Sequence, residues 1–107
     1  MQEQDFERNL GFLIGDVARL TRTSLDRRVQ ALGLTRSQWW VLTYVYREQG
    51  LTQSALSDHL EVGKVAIGNL IDRLEAKGWV ERKPDPKDRR INRIYLTESV
   101  MPIIEAM

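Results

Sequence analysis

Between Arg73 and Arg93 the chain carries eight basic residues, Arg73, Lys77, Arg82, Lys83, Lys87, Arg89, Arg90 and Arg93, against four acidic ones, Glu75, Glu81, Asp85 and Asp88. The segment therefore holds a net charge of +4, and the rest of a chain whose total is +1 sums to −3. Cationic side chains gathered in one segment are the footprint of a polyanion binder, because each can neutralise a phosphate and release its counterion. A solvated charged loop would have the same composition, so what precedes the segment must separate the two readings.

Other chemistries find little support. The 107-residue chain has no cysteine, which removes disulfides, thiolate metal sites, cysteine nucleophiles and thiol redox sensing. Its single histidine, His59, has no metal-ligand neighbours and reads as a surface residue. No nucleophile paired with a base, phosphate-binding loop or carboxylate couple stands out, so no catalytic residue, metal or cofactor is expected. Uncharged apolar runs such as Trp39 to Val45 fall far short of the roughly 20 residues of a bilayer span. The start MQEQDFE lacks a basic signal-peptide head, so a cytoplasmic protein is expected.

The elements that must position the cations follow from periodicity and caps. Phe6, Leu10, Leu13, Ile14, Val17, Leu20, Leu25, Val29 and Leu32 lay one stripe along a helix of about seven turns, which Gly33 stops. Such a stripe is long enough to serve a partner helix as well as its own domain. Thr35 and Gln38 have the spacing of a capping box, with Leu34 placed to staple onto Trp39, and the helix they start ends near Gly50. Thr52 caps a short third helix over about Gln53 to Leu60, with Leu51 and Leu56 repeating the staple. Glu61-Val62-Gly63 is a glycine-containing turn, after which Val65, Ile67, Leu70, Ile71 and Leu74 mark a fourth helix up to Lys77-Gly78. Trp79 can pack back on Leu74 in a Schellman end.

Two helices about a short turn make a helix-turn-helix. Trp79 to Arg82 and Asn92 to Leu96 are β-prone, and Pro84-Asp85-Pro86-Lys87-Asp88-Arg89-Arg90 between them cannot continue a central strand. They predict a two-stranded hairpin with an extended basic loop. Thr97 or Ser99 caps a last helix, Ser99 being favoured by Pro102 in its first turn. That helix has only two turns before Met107, so either the chain is truncated there or its apolar end, Val100, Ile103, Ile104 and Met107, docks on the first helix. The expected fold class is mainly α with a small β-hairpin, a winged helix-turn-helix. One domain spans 1–107, with a dimerisation-type helix over 1–32, a DNA-binding core over 35–96 and the start of a truncated dimerisation helix over 97–107. In this architecture a helix enters the major groove while the hairpin loop reaches toward the adjacent minor groove.

The strings LGLTRSQWWVL and LTQSALSDHLEVGKVAIGNLIDRLEAKGWVERKPDPKDRRINRIYLT, between Leu32 and Thr97, closely resemble the MarR family of bacterial transcription regulators over about two thirds of the chain. The DRLEAKGWVERKPDPKDRR portion is the most specific, since it joins the exit glycine, the strand and the wing. The resemblance implies a homodimer on double-stranded DNA, its first and last helices forming the dimer interface. This chain holds only the beginning of the family's last helices, so dimerisation is expected to be weakened.

The family's DNA-facing positions fall on Lys64, Val65, Ala66, Gly68 and Asn69. Asn69 is the clearest hydrogen-bonder to a base edge, while Val65 and Ala66 offer apolar contact to a thymine methyl. Gly68 serves either close approach to DNA or close helix packing. Asp88 and Arg90 match the family's Asp-x-Arg wing signature, in which the acid braces the loop and the arginine enters the minor groove, where negative potential is concentrated. Arg89 can exchange roles with Arg90, and Lys83, Lys87 and Arg93 fit phosphates. Arg73, from the DRLE string, meets either a phosphate or the neighbouring Asp72 and Glu75. Gln53 and Ser54 at the start of the third helix can present amides and side chains to a phosphate.

The family also takes small aromatic or phenolic acids, which nominates Arg19, Trp39 and Tyr46 for an effector site, although aromatics at helical spacing more often belong to the core. The expected function is a repressor relieved by such a ligand. The rival is a winged-helix module for protein contact, docking through Val65, Ala66 and Ile67 without DNA.

Overall fold

The computed structural model describes residues 2–107, which divide into two compact units on either side of the step from Thr35 to Arg36. The first is dominated by one helix, α1 (Glu3–Ala31). Its end is a Schellman motif: Gly33 takes φ +78°, its amide donates to the Gln30 carbonyl, and the Leu34 amide reaches back to Val29. The expected stripe is present, and Phe6, Leu10, Leu13, Ile14, Val17 and Leu20 are each between 46% and 62% exposed.

The second unit runs α2 (Arg36–Arg47), β1 (Leu51–Thr52), α3 (Gln53–Leu60), α4 (Lys64–Ala76), β2 (Val80–Pro84), β3 (Asn92–Leu96), one 3-10 turn (Glu98–Val100) and α5 (Met101–Glu105). Helices α2, α3 and α4 each turn apolar residues inward. Val41, Leu42 and Val45 of α2, Leu56 of α3, Ile67, Ile71 and Leu74 of α4, and Ile94 of β3 are all fully buried. Thr52 caps α3 as expected, its hydroxyl accepting from the Ala55 amide at 3.1 Å. The end of α4 is the expected Schellman motif, with the Gly78 amide on Glu75 at 2.9 Å and the Trp79 amide on Leu74 at 3.0 Å.

Three expectations are corrected. The sheet has three strands, in the order β1-β3-β2, because Leu51 and Thr52 pair antiparallel with Ile94 and Arg93. A two-residue strand shows no alternation, so only the tertiary pairing reveals it. Pro84 lies inside β2 rather than in the loop, which is tolerated because β2 is an edge strand and needs no N–H on its outer side. The expected turn between α3 and α4 is present, with Glu61 in the left-handed position at φ +54° and Gly63 extended, capping α4 with no side chain. Finally, neither Thr97 nor Ser99 caps a helix by its side chain. Both hydroxyls donate to the Gly78 carbonyl, at 2.6 and 2.7 Å, satisfying a group left over at the end of α4. The last helical segment therefore begins as a 3-10 turn, with Pro102 in the first turn of α5.

Candidate nucleic-acid interface

The face that α4 withholds from the core is the one the sequence nominated. Ile67, Ile71 and Leu74 point inward, whereas Lys64, Val65, Ala66 and Asn69 are exposed, Val65 at 80%. With Gly63 as its cap, α4 opens on main-chain N–H groups that no cap side chain takes. Gly68 is half-buried, and a Cβ there would lie 3.4 Å from Gln53 Nε2 of α3, a contact the flexible Gln53 side chain can accommodate.

The wing is the β2–β3 hairpin, paired from Val80 with Leu96 to Pro84 with Asn92. Its loop is closed by the Asp85 amide on the Ile91 carbonyl at 2.8 Å and the Ile91 amide on the Asp88 carbonyl at 3.0 Å. Asp85 organises this loop. It is buried, its Oδ2 accepts from the amides of Lys87 at 3.2 Å and Asp88 at 3.1 Å, and its Oδ1 accepts from Arg93 Nε at 2.7 Å. The Arg93 hydrogen bond, aided by those two amides against the cost of burial, holds the Asp85 carboxyl below its ordinary range. Arg93 also donates from Nη1 to the Gly50 carbonyl at 2.9 Å, tying the wing to the start of β1. Asp85, flanked by two prolines, is thus a brace of the loop in addition to Asp88, and Arg93, expected on a phosphate, places two of its five donors, on Nε and Nη1, inside the protein.

Asp88 engages Arg90. Its carboxylate accepts from the Arg90 amide and from Arg90 Nε and Nη2, each at 3.1 Å. These bonds lower the Asp88 pKa and raise that of Arg90. The Arg90 side chain still stands 90% exposed.

Gln53 and Ser54 from α3, Lys64 and Ile67 from α4, and Arg90, Ile91 and Asn92 from the wing line one cavity of about 160 Å3. Four of the residues nominated from sequence, Gln53, Ser54, Lys64 and Arg90, thus meet where the three elements converge. Arg73, Lys87 and Arg89 are exposed, and among the described residues neither their side-chain nitrogens nor that of Lys64 has a partner. Asp72 and Glu75, the alternative partners expected for Arg73, are here paired with another residue.

That residue is Arg82, which the sequence reading passed over. Its Nη1 meets Asp72 Oδ1 at 2.6 Å and Glu75 Oε1 at 3.0 Å, its Nη2 donates to the Gly68 carbonyl at 3.0 Å, and its Nε donates to Gln53 Oε1 at 3.3 Å. Strand alternation could have found it: Arg82 stands two residues after buried Val80, so it shares the inward face of β2.

The effector candidates come from both units. Arg19 of α1 is exposed and paired with Asp16 one turn back. Trp39 is half-buried and Tyr46, seven residues on and on the same side of α2, is 53% exposed. His59 is at the surface as expected, its ring stacked on Tyr44 at 4.7 Å with 9° between planes.

A family model described as MarR family matches residues 32–91, more than half of the chain. The uncharacterized HTH-type transcriptional regulator YybA of Bacillus subtilis (strain 168) is 28% identical over 85 residues, which are 79% of this chain and 57% of YybA. The chain thus spans little more than half the length of that relative. Among solved structures, a mutant of MarR from E. coli superposes with a TM-score of 0.84 at 34% identity, over 91% of this chain and 71% of that one. A mutant of S. aureus MepR bound to an oligodeoxyribonucleotide gives 0.76 at 28% identity, over 91% and 72%.

Proposed function

Because the chain belongs to the MarR family, we propose that it binds double-stranded DNA as a sequence-specific transcription regulator, a repressor relieved by a small aromatic or phenolic ligand. The observation that carries the reading is the convergence of Lys64 at the start of α4 and Arg90 on the wing around one cavity. An α-helix fits a major groove about 12 Å wide, and an arginine held beside it can enter the neighbouring minor groove. In this reading α4 presents Val65, Ala66 and Asn69 to base edges, Arg90 enters the minor groove, and Lys64, Arg73, Lys87 and Arg89 neutralise phosphates. The amides and side chains of Gln53 and Ser54 stand where the backbone passes.

A second copy of the chain completes the reading. The exposed stripe of α1 offers apolar surface for a homodimer, which would present two copies of α4 to two half-sites. A ligand favouring a dimer whose recognition helices are wrongly spaced would lower DNA affinity by its differential affinity for that state. Arg19, Trp39 and Tyr46 are the residues nominated to receive its carboxylate and ring.

The test is selection from a random duplex pool followed by titration of the selected sequence at increasing salt. Recovery of one motif, with affinity falling linearly on a log–log plot, is expected, since each neutralised phosphate contributes about −0.9 to the slope. A flat plot, or salt-insensitive capture of a protein partner in its place, overturns the reading in favour of a protein-contact module.

A further inference from the structure

We propose that Arg82 is a positioning residue of this interface: it contacts no DNA, and it fixes where the wing stands relative to α4. The inference rests on the DNA-binding reading above and names the device that keeps its two DNA-contacting elements at one spacing. Arg82 lies on β2, its backbone N–H and Nη1 both reach Glu75 of α4, Nη1 also takes Asp72, and Nη2 takes the Gly68 carbonyl. Its Nε is held by Gln53 of α3. Four of its five side-chain N–H donors are thereby spent, and its side chain is only 20% exposed. A guanidinium so occupied has little left for a phosphate.

The residues around it fit this role. Gln53 uses its Oε1 on Arg82 and sets its Nε2 where a Cβ on Gly68 would come to 3.4 Å. Gln53 of α3, the Gly68 carbonyl of α4 and the base of the wing thus meet around one cation. The Gly68 carbonyl has a second lone pair for Arg82 beyond the one its own helix uses. On the other side of the hairpin, Arg93 ties β3 to Gly50, so the wing is pinned from both strands and only the Arg82 pin reaches α4. Without it the wing would sample several angles, and ordering them on binding would cost affinity.

The experiment exploits a sign. Removing a carboxylate near a polyanion ordinarily strengthens binding, whereas Glu75→Ala, which removes the acceptor of both the Arg82 backbone N–H and one Nη1 contact, is expected to weaken binding to the selected duplex several-fold. Arg82→Ala and Arg82→Lys are expected to lose about tenfold, the size of a coupling of roughly 1.4 kcal/mol, with the salt slope of the parent protein retained. Lysine fails because a point charge cannot serve three elements at once. Tighter binding by Glu75→Ala, or a salt slope lowered by Arg82→Ala as it is by Arg90→Ala, overturns the proposal and makes Arg82 a phosphate ligand. Hydrogen exchange in the free protein supplies the readout without DNA: the wing amides of Asp85 and Ile91 should exchange faster in Arg82→Lys and Glu75→Ala while α2 amides stay protected. Unchanged wing exchange overturns the proposal. If Arg82→Ala fails to fold, the other two variants decide, and if the parent protein binds no duplex, the DNA reading falls while the exchange result still tests the pin.

Discussion

Asp88 grips Arg90 with both carboxylate oxygens, Nε on Oδ1 and Nη2 on Oδ2 at 3.1 Å each, and the amide of Arg90 joins Nε on Oδ1. A side chain that is 90% exposed is thereby given one direction before any partner arrives. Such a two-pronged pair is specific to the planar guanidinium, and it leaves the Nη1 group free to donate outward.

Arg90→Ala is accordingly expected to weaken binding to the selected duplex by about 1–3 kcal/mol, the usual size of one well-placed contact. Arg90→Lys should recover only part of the loss, since an ammonium keeps the charge but not the fork. Fluorescence anisotropy titrations measure both, and parent-like affinity of Arg90→Ala would defeat the minor-groove assignment.

Asn69→Ala should behave differently in kind. If Asn69 reads a base edge, its loss relaxes preference at one position of the duplex while affinity for scrambled DNA stays nearly unchanged. Comparing the two duplexes decides it, and a uniform loss on both would reassign Asn69 to the backbone.

The wing should resist acid. Asp85 titrates below its ordinary value in the folded chain, chiefly through Arg93, so the order it confers is fully present above the unfolded carboxylate pKa of about 4 and is lost only as pH falls through the lower folded value. NMR spectra of the Lys87 and Asp88 amides followed from neutral pH downward should show their Asp85-bonded shifts persisting below pH 4, as a rough figure. A midpoint at or above the ordinary carboxylate value would contradict the bonding described.

Gly50 and Gly78 offer a matched pair for stability. Both take positive φ, +86° and +77°, yet a Cβ on Gly50 would meet the Tyr95 hydroxyl at 3.0 Å whereas one on Gly78 meets nothing within 4 Å. Gly78→Ala should therefore cost only the left-handed backbone penalty of about 1–2 kcal/mol, and Gly50→Ala distinctly more. Thermal unfolding compares them, with Tyr95→Phe expected to return part of the difference. Equal losses would show that the tyrosine simply moves aside.

Oxidation gives a negative control. With no thiol to form a sulfenate or disulfide, DNA binding should survive peroxide doses that inactivate cysteine-based sensors. Release by peroxide that persists after replacement of all three methionines would require an unrecognised chemistry.

Local signals in the sequence determined the helices and their ends. Gly33, Gly50 and Gly78 announce left-handed positions, Thr52 announces a cap, and the apolar spacing of Ile67, Ile71 and Leu74 assigns the buried side of α4 and hence its exposed side. These are effects among residues a few places apart, legible because helical period and cap chemistry act at short range. The basic character of the wing was equally legible, since charge is a property of composition. Which cation does what was decided only by the tertiary structure. Arg73, Arg82 and Arg93 are alike on paper, yet Arg82 is closed in by groups from α3 and α4, Arg93 is locked to Asp85 and Gly50, and Arg73 is left exposed. The third strand was decided the same way, because Leu51 and Thr52 become a strand only by finding Ile94 and Arg93 some forty residues away. A guanidinium's role depends on the acceptors within about 3 Å of it, and chain folding, not chain order, brings those acceptors there.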